Sequence, residues 1–209
     1  EGARLHATVH APAPAGLPAA PFSLPQVHSV LLFAGMAPLF HVVLHQPEIP
    51  NNTGNIGRTC VALGCALHLV RPLAFDTSVH ALRRAGLDYW PRLAPTEHDD
   101  WPSAVSALGD AGAPRLWLYS TKGARPHWEA DFRPGDALVF GSETRGLPNS
   151  ILDAHPDRVV CLPMGEGERS LNLATAVCAA LCEGVRQCVE RGDCSIGPSG
   201  RLLLASSNR

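Results

Sequence analysis

Leu138-Val139-Phe140-Gly141-Ser142-Glu143-Thr144-Arg145-Gly146-Leu147-Pro148 joins a buried-strand pattern to a polar turn, and the reading of this stretch decides the fold. The apolar run Ala137 to Phe140 leads into Gly141. The turn that follows carries one carboxylate and one guanidinium, and Pro148 can open a helix at its first position. This is the pattern of a ligand loop at the carboxyl end of a strand, the edge of an open α/β sheet where small molecules bind. A second such loop, Leu162-Pro163-Met164-Gly165-Glu166-Gly167-Glu168-Arg169-Ser170, again lies between an apolar strand and a helix. Together the two predict a cofactor cleft.

Upstream, strand and helix patterns alternate. Leu39–Leu44 reads as a strand, Asn51–Thr53 offers helix N-cap residues, and Ile56, Cys60 and Leu63 recur at helical spacing before Gly64 supplies a stop. Ala66–Val70 is a second strand, which completes a βαβ unit and demands parallel pairing. Further strands are expected near Trp90–Leu93, Arg115–Ser120, Ala137–Phe140 and Arg158–Leu162. Helices are expected around Val79–Ala85, from Trp101 to Leu108 capped by Asp100, and from Pro148 to Ala154. The longest runs from Leu171 to Arg191, its apolar stripe formed by Leu173, Val177, Leu181, Val185 and Cys188. The predicted class is α/β, a six-stranded, mostly parallel sheet with helices on both faces.

The 209 residues suffice for one good core plus tails. A formal net charge of −2 excludes a globally basic nucleic-acid binder but leaves room for a local basic face. Of 17 basic residues only Lys122 is lysine, and arginine suits bidentate phosphate contacts, although codon bias explains the skew equally well. Seven cysteines, an odd number without a CxxC pair, read as reduced cytosolic thiols rather than a disulfide framework or zinc site. Cys60, Cys178 and Cys182 are expected to face the core. The ten histidines form no metal-ligand spacing, neither His41 nor His45 is read as a ligand, and no metal is expected.

Residues 1–35 contain an Ala/Pro run without sustained periodicity and are expected to form a disordered appendage, with Met36 reading as a natural start. Val30–Ala34 is far too short to span a membrane, and the charged region of a signal peptide is missing. Residues 36–191 form the expected domain, and the Gly/Ser-rich stretch 192–209 a flexible tail.

The ligand is narrowed by elimination. A dinucleotide site wants a Gly-rich turn after the first strand and an acidic residue ending the second. Here the first loop is Gln46-Pro47-Glu48-Ile49-Pro50-Asn51-Asn52-Thr53-Gly54-Asn55, the second strand ends in Arg71-Pro72, and no phosphate-loop sequence surrounds Lys122. Glycines 141, 165 and 167 cluster in the carboxyl-terminal half, so the cofactor site belongs there.

Four segments carry a resemblance: Pro47 to Arg58, Leu82 to Tyr89, Phe140 to Pro148, and Leu162-Pro163-Met164 with Arg169-Ser170-Leu171-Asn172-Leu173. In this order they closely resemble the SPOUT methyltransferases, and among them the small tRNA wobble-nucleotide 2′-O-methyltransferases, over about residues 38–191. The resemblance implies a trefoil knot in the last third of the chain, an exception to the avoidance of knots. It also implies an S-adenosyl-L-methionine site made of the knot loops, and a cytoplasmic homodimer acting on the tRNA anticodon loop. By position it implies cofactor contacts, mostly through main chain, at Tyr119, Gly141, Leu162 and Ser170. Tyr119 stands where relatives carry an aliphatic residue, and Leu171 where they often carry methionine.

Arg58 matches the family's catalytic arginine. Its guanidinium stays protonated, so positioning a phosphate and stabilising a developing alkoxide suit it better than proton abstraction. Glu143 and Asn172 are candidates for orienting the catalytic loops or, equally, for capping helices. Arg83 and Arg84, beside Asp88-Tyr89, resemble the RNA-contact segment, with Arg145 and Arg169 flanking the cleft. The expected activity is methylation of the ribose 2′-hydroxyl of the wobble nucleotide, cytidine or a modified uridine. The alternatives are a same-fold enzyme acting on another tRNA or rRNA site, and an RNA-binding module without turnover.

Overall fold

The computed structural model describes residues 37–75, 89–110 and 115–204. The expected appendage 1–35 and the helix expected over Val79–Ala85, with Arg83 and Arg84, lie outside the described residues. Six strands form one sheet: β1 (His41–His45), β2 (Ala66–Val70), β3 (Thr96–His98), β4 (Leu116–Tyr119), β5 (Ala137–Phe140) and β6 (Val159–Val160). Their order is β3-β2-β1-β5-β4-β6, and every pairing is parallel. The chain thus runs outward from β1 to β3, then returns to the far side of β1. The carboxyl ends of β1, β5 and β4 meet where the winding reverses, the place where such sheets bind ligands.

Side-chain alternation along the central strands separates two cores, one on each face of the sheet. Val42, Leu44, Leu67, Leu69, Trp117, Leu138 and Phe140 pack with α1 (Pro50–Leu63) and with the long helix after β6, Leu173–Arg191. Val43, Val70, Leu118 and Val139 pack with the helices Trp101–Asp110 and Asn149–Ala154. With the single turn Trp90–Leu93 as α2, these three helices become α3 (Trp101–Asp110), α4 (Asn149–Ala154) and α5 (Leu173–Arg191).

Trp90–Leu93, expected as a strand, is helical, and the third strand is Thr96–His98 instead. Pro91 explains the correction, because its fixed φ suits a first helical turn while its missing N–H cannot serve a sheet ladder. The same turn packs on α1. A Cβ added at Gly57 would lie 2.8 Å from Leu93 Cδ2 and 3.0 Å from Trp90 Cζ3, so α1 approaches this closely only because residue 57 is glycine.

Helix boundaries follow the chemistry of their caps. Asp100 caps α3 as expected, accepting a bond from Ser103 N at 2.8 Å while Ser103 Oγ accepts one from Asp100 N at 3.2 Å. α1 begins at Pro50 with Ile49 in the cap position, so Asn51–Thr53 are not its cap, and Gly64 ends it in a left-handed conformation. Pro148 occupies the cap of α4 rather than its first turn. β6 is shorter than Arg158–Leu162 because Pro156–Arg158 form a 3-10 turn.

In α5 the buried stripe comprises Leu173, Val177, Ala180, Leu181, Gly184 and Cys188, with Val185 half-buried. Cys178 and Cys182, expected in the core, are exposed, since they fall on the opposite side of the helix. Residues 192–204, expected as part of a flexible tail, contain an antiparallel hairpin of β7 (Cys194–Ile196) and β8 (Leu202–Leu204) beside α5. Among the described residues no helix is long and apolar enough to cross a membrane.

Candidate active site

A cavity of about 730 Å³ opens at the carboxyl edge of β4 and β5. Three loops build it: Tyr119 to Lys122 after β4, Phe140 to Leu147 after β5, and Leu162 to Leu173 between β6 and α5. All four positions expected to contact a cofactor, Tyr119, Gly141, Leu162 and Ser170, line it, as do Arg145, Arg169, Glu143 and Asn172. Residues up to 53 positions apart in sequence, Tyr119 and Asn172, therefore meet at one cavity.

Glu143 is the tie between the cavity and α1. Its Oε2 accepts a bond from Glu48 N at 2.8 Å, and its Oε1 accepts bonds from Ile49 N at 3.2 Å and Asn52 Nδ2 at 3.0 Å. The carboxylate thus sits at the positive end of the α1 dipole, held by the two backbone N–H groups just before the helix and by an amide of its first turn. Glu48 reciprocates, accepting bonds from Thr144 N at 3.1 Å and Thr144 Oγ1 at 2.8 Å. Both oxygens of Glu143 are thus occupied by donors of the β1–α1 segment.

Asn172 has the same character. Its Oδ1 caps α5, accepting bonds from Ala174 N at 2.9 Å and Thr175 N at 3.3 Å, while its Nδ2 donates to Asn52 Oδ1 at 2.9 Å. Asn52 is therefore the hub that couples the β5 loop to the start of α5. The sequence offered it only as a possible cap; nothing in its local pattern points to partners 91 and 120 positions away. Met164 and Lys122 also line the cavity, Lys122 Nζ donating to Asn149 Oδ1 at 2.8 Å.

Gly141, expected to meet the cofactor through its main chain, is required by its own loop as well. A Cβ at Gly141 would lie 1.9 Å from Gly146 C and 2.1 Å from Leu147 N, so the loop folds onto its own first residue. Gly146 closes this turn at φ 68, its N–H donating to Ser142 O at 2.9 Å.

Tyr119 supplies a hydrophobic floor. Its ring stacks on Phe140 with centroids 4.5 Å apart, and burial pushes its phenol well above the ordinary value, with the Glu183 carboxylate adding to the effect. It stays protonated at any working pH.

Arg58 is not brought into the cavity of its own chain. It is exposed on α1, its guanidinium 5.0 Å from the centroid of Tyr89, whose hydroxyl donates to Gly54 O. Among the described residues no group of three or more His, Cys, Asp or Glu side chains is arranged to hold a metal ion. The histidines form a chain of another kind. His41 Nδ1 lies 2.9 Å from His68 Nε2, and His68 Nδ1 lies 3.0 Å from His98 Nε2, all three buried across β1, β2 and β3. Burial, reinforced by its two neighbours, lowers His68 to about 3.

Known proteins share this sequence pattern and fold. The SpoU rRNA Methylase family matches residues 39–182. The tRNA (cytidine(34)-2′-O)-methyltransferase of Saccharophagus degradans is 45% identical over 150 residues, covering 71% of this chain and 96% of the relative. A solved structure described as structural insights into the 2-OH methylation of C/U34 on tRNA is 47% identical, with a TM-score of 0.66, over 73% of this chain and 97% of the other. The SpoU methyltransferase AviRb from Streptomyces viridochromogenes, in complex with the cofactor AdoMet, is 28% identical with a TM-score of 0.63, over 75% of this chain and 63% of its own. With the family match spanning well over half of its residues, the chain belongs to the SpoU rRNA Methylase family.

Proposed function

We propose that this protein transfers the methyl group of S-adenosyl-L-methionine to the ribose 2′-hydroxyl of the wobble nucleotide, cytidine or a modified uridine, in the tRNA anticodon loop. One observation carries the reading. Two of the three loops that build the cavity at the carboxyl edge are ones the motifs single out, in a chain 45% identical over 150 residues to a tRNA (cytidine(34)-2′-O)-methyltransferase, 96% of which is covered.

The residues present suit such a cofactor. A cavity of about 730 Å³ is of cofactor size. Its lining combines the apolar Phe140, Leu162 and Leu173 with loop backbone at Gly141 and Ser170, and AviRb, a family relative, is known with AdoMet bound. When bound, S-adenosyl-L-methionine supplies an electrophilic methyl on a sulfonium, so the chemical driving force is its own. The chain's residues place and stabilise. Tyr119, Gly141, Leu162 and Ser170 hold the cofactor, mostly by main chain. Glu143, Asn52 and Asn172 fix the β5 loop against the starts of α1 and α5. Arg145 and Arg169, at the cavity, neutralise RNA phosphates, and Arg83 and Arg84 extend the RNA contact.

Arg58 positions the target nucleotide's phosphate and stabilises the developing alkoxide. Because it lies outside the cavity of its own chain, the reading includes a homodimer in which a second copy carries Arg58 to the site. A trefoil knot is part of the reading too. Its support is the route of the chain, which leaves β6 at the sheet edge, lines the cavity beside the β5 loop, and only then enters α5 on the α1 face. The seven cysteines are all free, which suits a cytoplasmic setting.

Labelled methyl transfer to unfractionated tRNA, followed by nucleoside mass spectrometry, tests the reading. A 2′-O-methylated nucleoside mapping to the wobble position is the expected product. Transfer to a base, or to ribosomal RNA alone, overturns it.

A further inference from the structure

Among the described residues, one indole outside the cavity is left in solvent, on a turn that the guanidinium of Arg125 bridges. Trp128 is 53% exposed, on the 3-10 turn His127–Glu129 that follows the cavity-lining residues Ser120, Thr121 and Lys122. The turn is held, not loose: His127 N donates to Cys161 O at 2.9 Å and Cys161 N donates to Arg125 O at 2.8 Å, tying it to the strand that continues into Leu162. Arg125, three residues before Trp128, and Arg158 both stack their guanidiniums over the buried Trp117 ring, at 5.5 and 4.9 Å from its centroid. Arg125 also donates to Glu129 O, reaching back across the turn that carries Trp128. Nearby Asp131 and Asp136 are already engaged by Arg133 and Arg115. Among the described residues neither Arg125 nor Arg158 makes an ion pair.

We propose that Trp128, Arg125 and Arg158 form a second RNA-contact surface, in which Trp128 stacks on an unpaired base and the two arginines hold the flanking phosphates. The proposal rests on the tRNA reading above. Exposed aromatic faces interleaved with cations are the usual platform for single-stranded RNA, because every base has a stacking face and every nucleotide a phosphate. A guanidinium fixed by its face on an indole keeps its N–H edge for a planar, two-pronged phosphate contact and loses little side-chain freedom on binding. The site therefore suits a splayed loop rather than a duplex.

The test uses the full chain and an anticodon stem-loop RNA, with affinity measured by fluorescence anisotropy across a range of salt. Trp128→Ala is expected to weaken RNA binding by about 5- to 150-fold, the range for loss of one stacked base, and Trp128→Phe to restore most of it. Arg125→Ala with Arg158→Ala is expected to flatten the dependence of log affinity on log salt by about 1.5, the loss of two single-strand phosphate contacts. Calorimetric affinity for S-adenosyl-L-methionine, unchanged in all variants, shows that the fold is intact. Wild-type RNA affinity in Trp128→Ala with normal cofactor binding overturns the surface. Loss of self-association in that variant with RNA affinity intact assigns the indole to a protein interface and equally overturns it. Failure of the wild-type protein to methylate any tRNA defeats the underlying reading instead.

Discussion

Replacing Gly141 by alanine adds one methyl group at the point where the β5 loop returns on itself. That carbon would lie 1.9 Å from Gly146 C, 2.1 Å from Leu147 N and 2.4 Å from Gly146 O, all backbone atoms with no rotamer to change. Favourable carbon contacts begin near ~3.5 Å, so residues 146–147 must withdraw by roughly 1.5 Å. The Gly146 N to Ser142 O bond of 2.9 Å does not survive such a shift, and the Glu143 bonds of 2.8–3.2 Å to Glu48, Ile49 and Asn52 are put at risk with it. Counting ~1 kcal/mol for each lost bond, discounted because Glu143 is partly exposed, the loop loses about 2–4 kcal/mol. Because this loop is one wall of the cavity, the expected result is a fall in S-adenosyl-L-methionine affinity of at least about 30-fold by calorimetry, with a lowered melting temperature. Wild-type affinity and melting temperature in Gly141→Ala would refute the reasoning, because the clash does not depend on what the loop binds.

Arg58→Ala should abolish methyl transfer while leaving cofactor affinity near normal, since Arg58 does not line the cavity of its own chain; Arg58→Lys should rescue little, a point charge being no substitute for a planar fork. Single-turnover assays at saturating tRNA check this, and recovered rates in Arg58→Ala would count against it. Glu143→Ala should reduce stability by about 1–3 kcal/mol in urea titrations and raise KM for cofactor more than it changes the pH dependence of kcat, because the carboxylate braces α1 and moves no proton; a lost titrating limb in the pH profile would show otherwise. Acid should unfold the protein through its histidine chain. His68 is lowered from 6.5 to about 3 by burial and by His41 and His98, so its stabilisation is complete above 6.5 and drains as pH falls toward 3. The expected loss is about 1.4 kcal/mol per pH unit from His68 alone, and a urea midpoint that stays flat between pH 7.5 and 5.5 would exclude this.

The alternating apolar runs, the βαβ order, the Asp100 cap and the two glycine-bearing loops were legible in the sequence because each is a local pattern, written in residues a few positions apart. The family motifs were legible for the same reason, and the four positions expected to contact a cofactor are ones the fold brings to one cavity. Trp90–Leu93 failed as a strand although Pro91 was visible, since apolar composition outweighed the backbone constraint that decides the element. Cys178 and Cys182 share helical spacing with the buried stripe of α5, and only the packing of that helix against Phe40 and α1 settles which side is covered. Asn172 was legible as a candidate helix cap, and it caps α5. The bonds that join Glu143, Asn52 and Asn172 were beyond any local reading, because they span up to 120 positions. The same is true of Gly141, whose side chain is excluded by its own loop, and of the chain His41, His68 and His98, one residue from each of three strands. Periodicity records which face of an element is buried; hydrogen bonds and steric exclusions between distant segments leave no period, so only the folded sheet edge decides them.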